Sequence, residues 1–207
     1  QIHILENEKK FVELQLSALQ AQIEPHFLFN TLSNILSLIE TNPKHSHAML
    51  ERFILYLRGT LDSTRENTIE LAEEVNNVTA YLDVIKFRMG DRLKANIKIP
   101  EELSQIKIPP MLLLNLVENS IKHGLEPKVD GGTINVIAEK NSTSIIITIE
   151  DTGMGIQDHH SDSGLGLSNT RERLALFSHN DASMTIEQNQ PQGTRVNINL
   201  PESYQHA

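Results

Sequence analysis

Asn115-Leu116-Val117-Glu118-Asn119-Ser120-Ile121-Lys122-His123-Gly124 lies in a strongly apolar segment that follows Pro109-Pro110 and reads as a helix from about Met111 to His123. Asn115 and Asn119 are four residues apart and so share a face, and Lys122 follows Asn119 by three. Amides inside a helix this apolar need polar partners. Taken alone, Asn119 reads as a residue that caps neighbouring backbone. Its neutral oxygen also suits Mg²⁺, which keeps several waters and bridges phosphates. His123 ends the helix, where it can line a pocket.

Downstream, three glycine clusters tip the balance towards a site. They are Asp151-Thr152-Gly153-Met154-Gly155, then Gly164-Leu165-Gly166-Leu167, then Gly193-Thr194. Glycine lets the backbone approach a ligand closely. The second cluster opens a helix running from Leu167 to about Phe177, where free amides and the helix dipole favour an anion. Asp151 directly follows a β run, and its carboxylate can accept from an exocyclic amine such as that of adenine. The polar segment from Gln157 to Ser163 fits a mobile lid.

The texture elsewhere divides the chain. Leu5, Val12, Leu16, Leu19 and Ile23 mark a helical seam, equally suited to pairing with a copy of itself or to lying on its own domain, and 1–22 reads as a coiled-coil linker helix. Two striped helices, broken at Thr41-Asn42-Pro43, make a helical hairpin over 23–65; two hairpins would close a four-helix bundle. A helix from about Leu71, capped by Thr68 and ended at Gly90, begins a third region, 66–203, with a short tail at 204–207. Five β runs follow or flank its helices: 95–99, 134–137, 145–149, 184–186 and 195–200. The fold class is α+β, a helical hairpin followed by an α/β sandwich with an open mixed sheet and helices on one face.

Composition narrows the function. The net charge of −9 argues against direct nucleic-acid binding, which needs a basic face. No cysteine is present, so neither a disulfide framework nor a zinc–thiolate site is open to this chain. No apolar run approaches a membrane span. The chain reads as a cytoplasmic fragment of something longer. His45/His47 and His159/His160 fall in loops without a third ligand at a telling spacing, and Glu73-Glu74 reads as a solvated helix face.

The order Asn-Leu-Val-Glu-Asn-Ser, Asp-Thr-Gly-Met-Gly, Gly-Leu-Gly-Leu, Gly-Thr resembles the N, G1, G2 and G3 boxes of the GHKL superfamily of gyrase, heat-shock chaperone, histidine kinase and mismatch-repair ATPases. That resemblance implies the Bergerat α/β sandwich, with ATP and Mg²⁺ as cofactors. It implies that Asp151 contacts adenine, Asn119 holds Mg²⁺ and Lys122 approaches phosphate, with Asn115, His123, Gly153, Gly155, Gly164, Leu165, Gly166, Leu167 and Thr194 around the nucleotide. Hydrolytic members carry a general-base Glu four residues before the metal-binding Asn. Here that position is Asn115, whose amide cannot take a proton from water.

The γ-phosphate then needs another acceptor. Glu24-Pro25-His26-Phe27-Leu28-Phe29-Asn30 is similar to the phosphoacceptor box of LytS-like sensor histidine kinases, and Tyr81-Leu82, Arg88 and Asp91-Arg92-Leu93 also resemble that family. Pro25 would kink the helix one turn back, at Ala21, exposing His26 as a nucleophile. Without the ATP site, His26 would read as an ordinary helix histidine. Asn30, four residues on, orients the imidazole's surroundings or a water that dephosphorylates a partner. Phe27 stands where other kinases carry an acid, which leaves Glu24 and Glu118 as candidates for handling the proton. The resemblance implies a homodimer, an upstream region in the bacterial inner membrane, and a response-regulator partner, often with a LytTR-type DNA-binding domain. A GHKL-type ATPase and a non-catalytic dimeric scaffold are the competing readings.

Overall fold

The structure, a computed structural model, describes residues 25–63, 67–156, 163–178 and 181–201. The seam over Leu5–Ile23, Glu24, the kink at Ala21, the lid over 157–163 apart from Ser163, and the tail fall outside the described residues. The chain divides between Phe53 and Ile54 into two compact units.

In the first unit, helix α1 spans Pro25–Thr41 and helix α2, Pro43–Ser63, begins. A single residue, Asn42, joins them. Its backbone N–H still bonds the Leu38 carbonyl, while its Oδ1 accepts the His45 N–H at 3.2 Å and caps α2. Pro43 fits the first helical position because no amide hydrogen is needed there. Phe27 and Ile35 of α1 are buried, as are Met49 and Phe53 of α2. The Phe27 and Phe53 rings meet edge-to-face at 6.2 Å. The Ser46 hydroxyl donates to the Ile35 carbonyl at 3.0 Å, so a polar group in the seam is satisfied. The hairpin thus covers one face of α1. Phe29, Leu32, Leu36 and Ile39, at steps of three and four, stay exposed on another.

The second unit takes the end of α2 and everything after it. Helix α3 spans Leu71–Met89 and helix α4 Leu112–Asn119; α4 runs into a π-helical segment, Ser120–Leu125. Helix α5 spans Ser163–Phe177. Five strands form the main sheet in the order β2-β4-β5-β7-β6: β2 Leu93–Lys98, β4 Gly132–Lys140, β5 Ser144–Asp151, β6 Ser183–Gln188 and β7 Thr194–Pro201. β2 and β4 are parallel, and the other neighbours are antiparallel. A two-residue pair, β1 Ile69–Glu70 with β3 Lys107–Ile108, was not legible in the sequence.

The period of two explains the sheet's faces. Ile134, Val136 and Ala138, then Ile145, Ile147 and Ile149, then Val196, Ile198 and Leu200 are all buried on one face of the sheet, where α4, with Leu113, Leu116 and Val117 buried, packs on β5. On the other face, Asn96, Asn135, Glu150 and Arg195 form a hydrogen-bonded row across four strands. This is the open mixed sheet with helices on one face, as expected.

Three boundaries differ from expectation. Thr68 does not cap α3; the helix's first amides, those of Leu71 and Ala72, instead donate to the Ile106 and Ser104 carbonyls, both at 2.9 Å. Helix α5 starts at Ser163, four residues early, so Gly164, Leu165 and Gly166 lie inside its first turn. Helix α4 stops being α-helical at Asn119, and the wider π turn carries the rest of the motif. Asn42→Ala should lower stability by about 1 kcal/mol through the lost cap, read as a lower midpoint in urea unfolding followed by circular dichroism.

Candidate functional site

Asp151, the last residue of β5, is the centre of the site. It is 1% exposed, and its Oδ1 accepts the Gly153 N–H at 2.8 Å and the Thr194 N–H at 3.2 Å. Oδ2 is buried without a hydrogen-bond partner. Burial raises the carboxyl above its usual range, against the pull of the two N–H donors, the Ser120 hydroxyl beside it and Lys128. A buried acceptor oxygen left unsatisfied costs free energy, so it fits a ligand that brings a donor such as an exocyclic amine.

The backbone around it is packed to contact. A Cβ on Gly153 would lie 2.3 Å from the Gly124 carbonyl carbon, and one on Gly193 (φ +121°) would lie 1.9 Å from the Asp151 carbonyl oxygen. The Met154 N–H donates to the Gly124 carbonyl at 3.0 Å. The first and third glycine clusters and the end of the Asn-box segment therefore meet at one carboxyl. Gly124 closed the quoted motif without being singled out as a site residue. Its contact with Asp151 required the π turn, which the sequence did not signal. Gly155 (φ +79°) lies beyond, where the Ile156 N–H donates to Gln188 Oε1 at 3.1 Å.

Asn115 and Asn119 are half-buried on α4; Lys122 and His123 are exposed on the π segment. Asn115 lines a small recess with Pro110, Met111, Thr170 and Arg173. Gly164, Leu165, Gly166 and Leu167 open α5, which packs on α4. Glu118 is half-buried, and its Oε1 accepts the Tyr56 hydroxyl at 3.0 Å. Among the described residues no group of three or more His, Cys, Asp or Glu is placed to hold a metal. A cation here would take most of its ligands from phosphate and water.

The start of α4 holds a group that the sequence misplaced. Glu74 of α3, expected on a solvated face, is 0% exposed. Its Oε2 accepts the Met111 N–H and its Oε1 the Leu114 N–H, each at 3.0 Å. Met111 sits in the left-handed region (φ 59°) and Leu112, Leu113 and Leu114 carry no polar side chain, so α4 cannot cap itself. Desolvation pushes Glu74 up to about 7; the Leu114, Met111 and Leu113 amides and the Arg173 charge pull the other way.

In the first unit, His26 is exposed on the first turn of α1. Asn30 Nδ2 lies 3.2 Å from both Nδ1 and Nε2, so the amide donates to whichever nitrogen lacks a proton. Turned over, it would offer Oδ1 to the ring N–H instead.

Residues 109–204 match the family model described as histidine kinase-, DNA gyrase B- and HSP90-like ATPase, and residues 14–93 match the histidine kinase model. Residues 109–204 thus form an ATP-binding region of the histidine-kinase type. The chain is 35% identical over 201 residues to sensor histidine kinase YesM of Bacillus subtilis, covering 94% of this chain and 35% of that one. With sensor histidine kinase BtsS of Escherichia coli it shares 33% over 187 residues, 90% of this chain and 33% of that one. With sensor protein LytS of Oceanobacillus iheyensis it shares 32% over 218 residues, 97% and 37%. The chain spans about a third of the length of these relatives. Its fold is similar to the histidine kinase domain of the blue-light-activated kinase EL346 of Erythrobacter litoralis, with TM-score 0.53, 18% identity and 96% of each chain covered. The catalytic domain of histidine kinase ThkA is likewise similar, with TM-score 0.53, 18% identity, and 65% of this chain and 94% of that one covered. The chain belongs to the LytS-like sensor histidine kinases. Among the described residues no helix is long and apolar enough to cross a membrane.

Two outcomes follow from this geometry. Gly153→Ala drives a methyl group into the Gly124 backbone; it should weaken ATP binding at least tenfold and cost about 1–3 kcal/mol, measured by calorimetric titration and urea unfolding. Glu74 is raised in the folded state from 4.5 to about 7, so the folded chain keeps a proton that the unfolded chain releases. Its favourable contribution is complete below about pH 4.5 and is lost as pH rises through about 7, a swing of about 3 kcal/mol. Unfolding at about pH 5 and about pH 8 should show this slope in the natural chain and lose it in Glu74→Gln.

Proposed function

We propose that the chain is the catalytic part of a two-component sensor histidine kinase that phosphorylates itself on His26 and passes the phosphoryl group to a response-regulator aspartate. The observation that supports this best is a pairing. The nucleotide site offers only an amide, Asn115, where hydrolases of the superfamily place Glu, and the chain carries an exposed imidazole with an amide beside it.

In this reading 66–203 binds ATP and 23–65 carries the acceptor. Asp151 takes the adenine amine on Oδ2. The Gly153, Gly155, Gly164, Leu165, Gly166, Leu167 and Thr194 backbone surrounds the nucleotide, and Lys122 and His123 flank its phosphates. Asn119 would hold Mg²⁺, which when bound would supply charge neutralisation at the phosphates. The neutral imidazole of His26 attacks the γ-phosphorus through Nε2. An N–P bond forms, the bond to the β,γ-bridging oxygen breaks, and ADP leaves with that electron pair. The Nδ1 proton leaves the resulting imidazolium; Asn30 orients the ring, and Glu24 and Glu118 are the candidate acceptors. Positioning and charge neutralisation carry the rate.

Homodimerisation is supported by the exposed row Phe29, Leu32, Leu36 and Ile39 on α1, which a second hairpin would cover to close a four-helix bundle. The family resemblance supports a membrane region upstream in the full-length protein and a partner with a LytTR-type DNA-binding domain.

Incubation with γ-labelled ATP and Mg²⁺ tests the reading. Acid-labile, alkali-stable label should appear on the natural chain and vanish in His26→Gln while ATP binding persists. Phosphate release without labelled His26 would favour an ATPase, and neither product a non-catalytic scaffold.

A further inference from the structure

The junction Pro110–Met111, where the Asn-box helix begins, is held from two sides. From α3, the fully buried Glu74 places one carboxylate oxygen on the Met111 N–H and the other on the Leu114 N–H. From α5, Arg173 donates to the Pro110 carbonyl at 2.9 Å. The two side chains also act on each other electrostatically, with the Arg173 charge favouring the ionised form of Glu74. Neither touches Asp151 in any contact described.

The helix they hold is short. α4 has eight residues, about 12 Å of rise, and carries Asn115 in its first turn and Asn119 at its end. A rigid segment of that length transmits a displacement of its N-terminus to both amides. Met111, held at φ 59° without a glycine, adopts a conformation that costs free energy unless its surroundings impose it. Glu74 supplies that restraint through the Met111 amide.

We propose that Glu74 and Arg173 form a clamp on the Pro110–Met111 junction that sets the position of Asn115 and Asn119, making both positioning residues for the metal–phosphate end of the nucleotide and tying that end to α5. The clamp rests on the reading of Asn119 as the Mg²⁺ residue. It separates two halves of one pocket: the adenine end built on Asp151, and the phosphate end built on α4. Loss of the clamp should loosen only the second.

The experiment compares two ligands on the same variants by calorimetric titration: a non-hydrolysable ATP analogue with Mg²⁺, and adenosine without metal. Glu74→Ala should weaken the Mg²⁺-dependent ligand roughly ten- to a hundredfold and leave adenosine affinity within about twofold. Glu74→Gln keeps one acceptor oxygen and should lose less. Arg173→Gln should show the same selective loss. A natural chain whose affinity for the analogue ignores Mg²⁺ would sink the underlying assignment of Asn119. A natural chain that depends on Mg²⁺, with folded Glu74 and Arg173 variants that match it or weaken on both ligands equally, would overturn the clamp. If Glu74→Ala does not fold, Arg173→Gln decides alone by the same split.

Discussion

Three stretches of chain, far apart in sequence, reach one carboxyl with no room for a side chain between them. Asp151 is gripped through Oδ1 by the amides of Gly153 and Thr194, and Gly124 and Gly193 press their backbones against it. The remaining oxygen is left without a donor in a place where water is excluded. Such a site is stable only if the surrounding backbone is fixed more firmly than the carboxyl could fix it alone. The sheet does this: β5 is the central strand, with β4 and β7 hydrogen-bonded along both edges up to Asp151 and Glu150.

The sheet in turn depends on being clothed differently on its two faces. Isoleucine and valine alternate inward beneath α4, while the outward positions pair Asn135, Glu150 and Arg195 across the strands. A slip of one residue between β5 and β7 would put Glu150 under the helices, a large penalty for an ion. Register and pocket are thus protected by the same alternation. Lys128, donating to the Thr152 carbonyl at 2.6 Å, ties the loop before β4 to the turn after Asp151.

Much of this was legible because it depends on pattern. The five strands follow from alternating runs, and the glycine clusters mark the turns that meet at Asp151. The hairpin follows from its stripes and the Asn42-Pro43 break. What escaped depends on tertiary partners that no local pattern encodes. Glu74 sits beside Glu73 in sequence, and only the placement of α4 sends one inward and leaves the other in water. Thr68 is a good capping residue by chemistry, but the carbonyls of Ser104 and Ile106 reach the start of α3 first. Met111 as a left-handed cap is invisible because methionine has no preference for that conformation. Helix α5 takes in its glycines early despite their low helix propensity.

The widened turn at Ser120–Leu125 has a consequence for how this chain can change. With the Glu126 amide bonded back to the Ile121 carbonyl, the turn holds one residue more than an α-helix would. Ile121, Gly124 and Leu125 face inward, while Lys122 and His123 face out. Removing one residue between Ser120 and His123 would restore ordinary helical winding and move each later residue of the turn one position along, about 100° around the axis. Gly124 would then swing away from Asp151 and a bulkier neighbour would take its place. Here the chain must keep count: composition can drift on the outer side of the turn, but its length cannot.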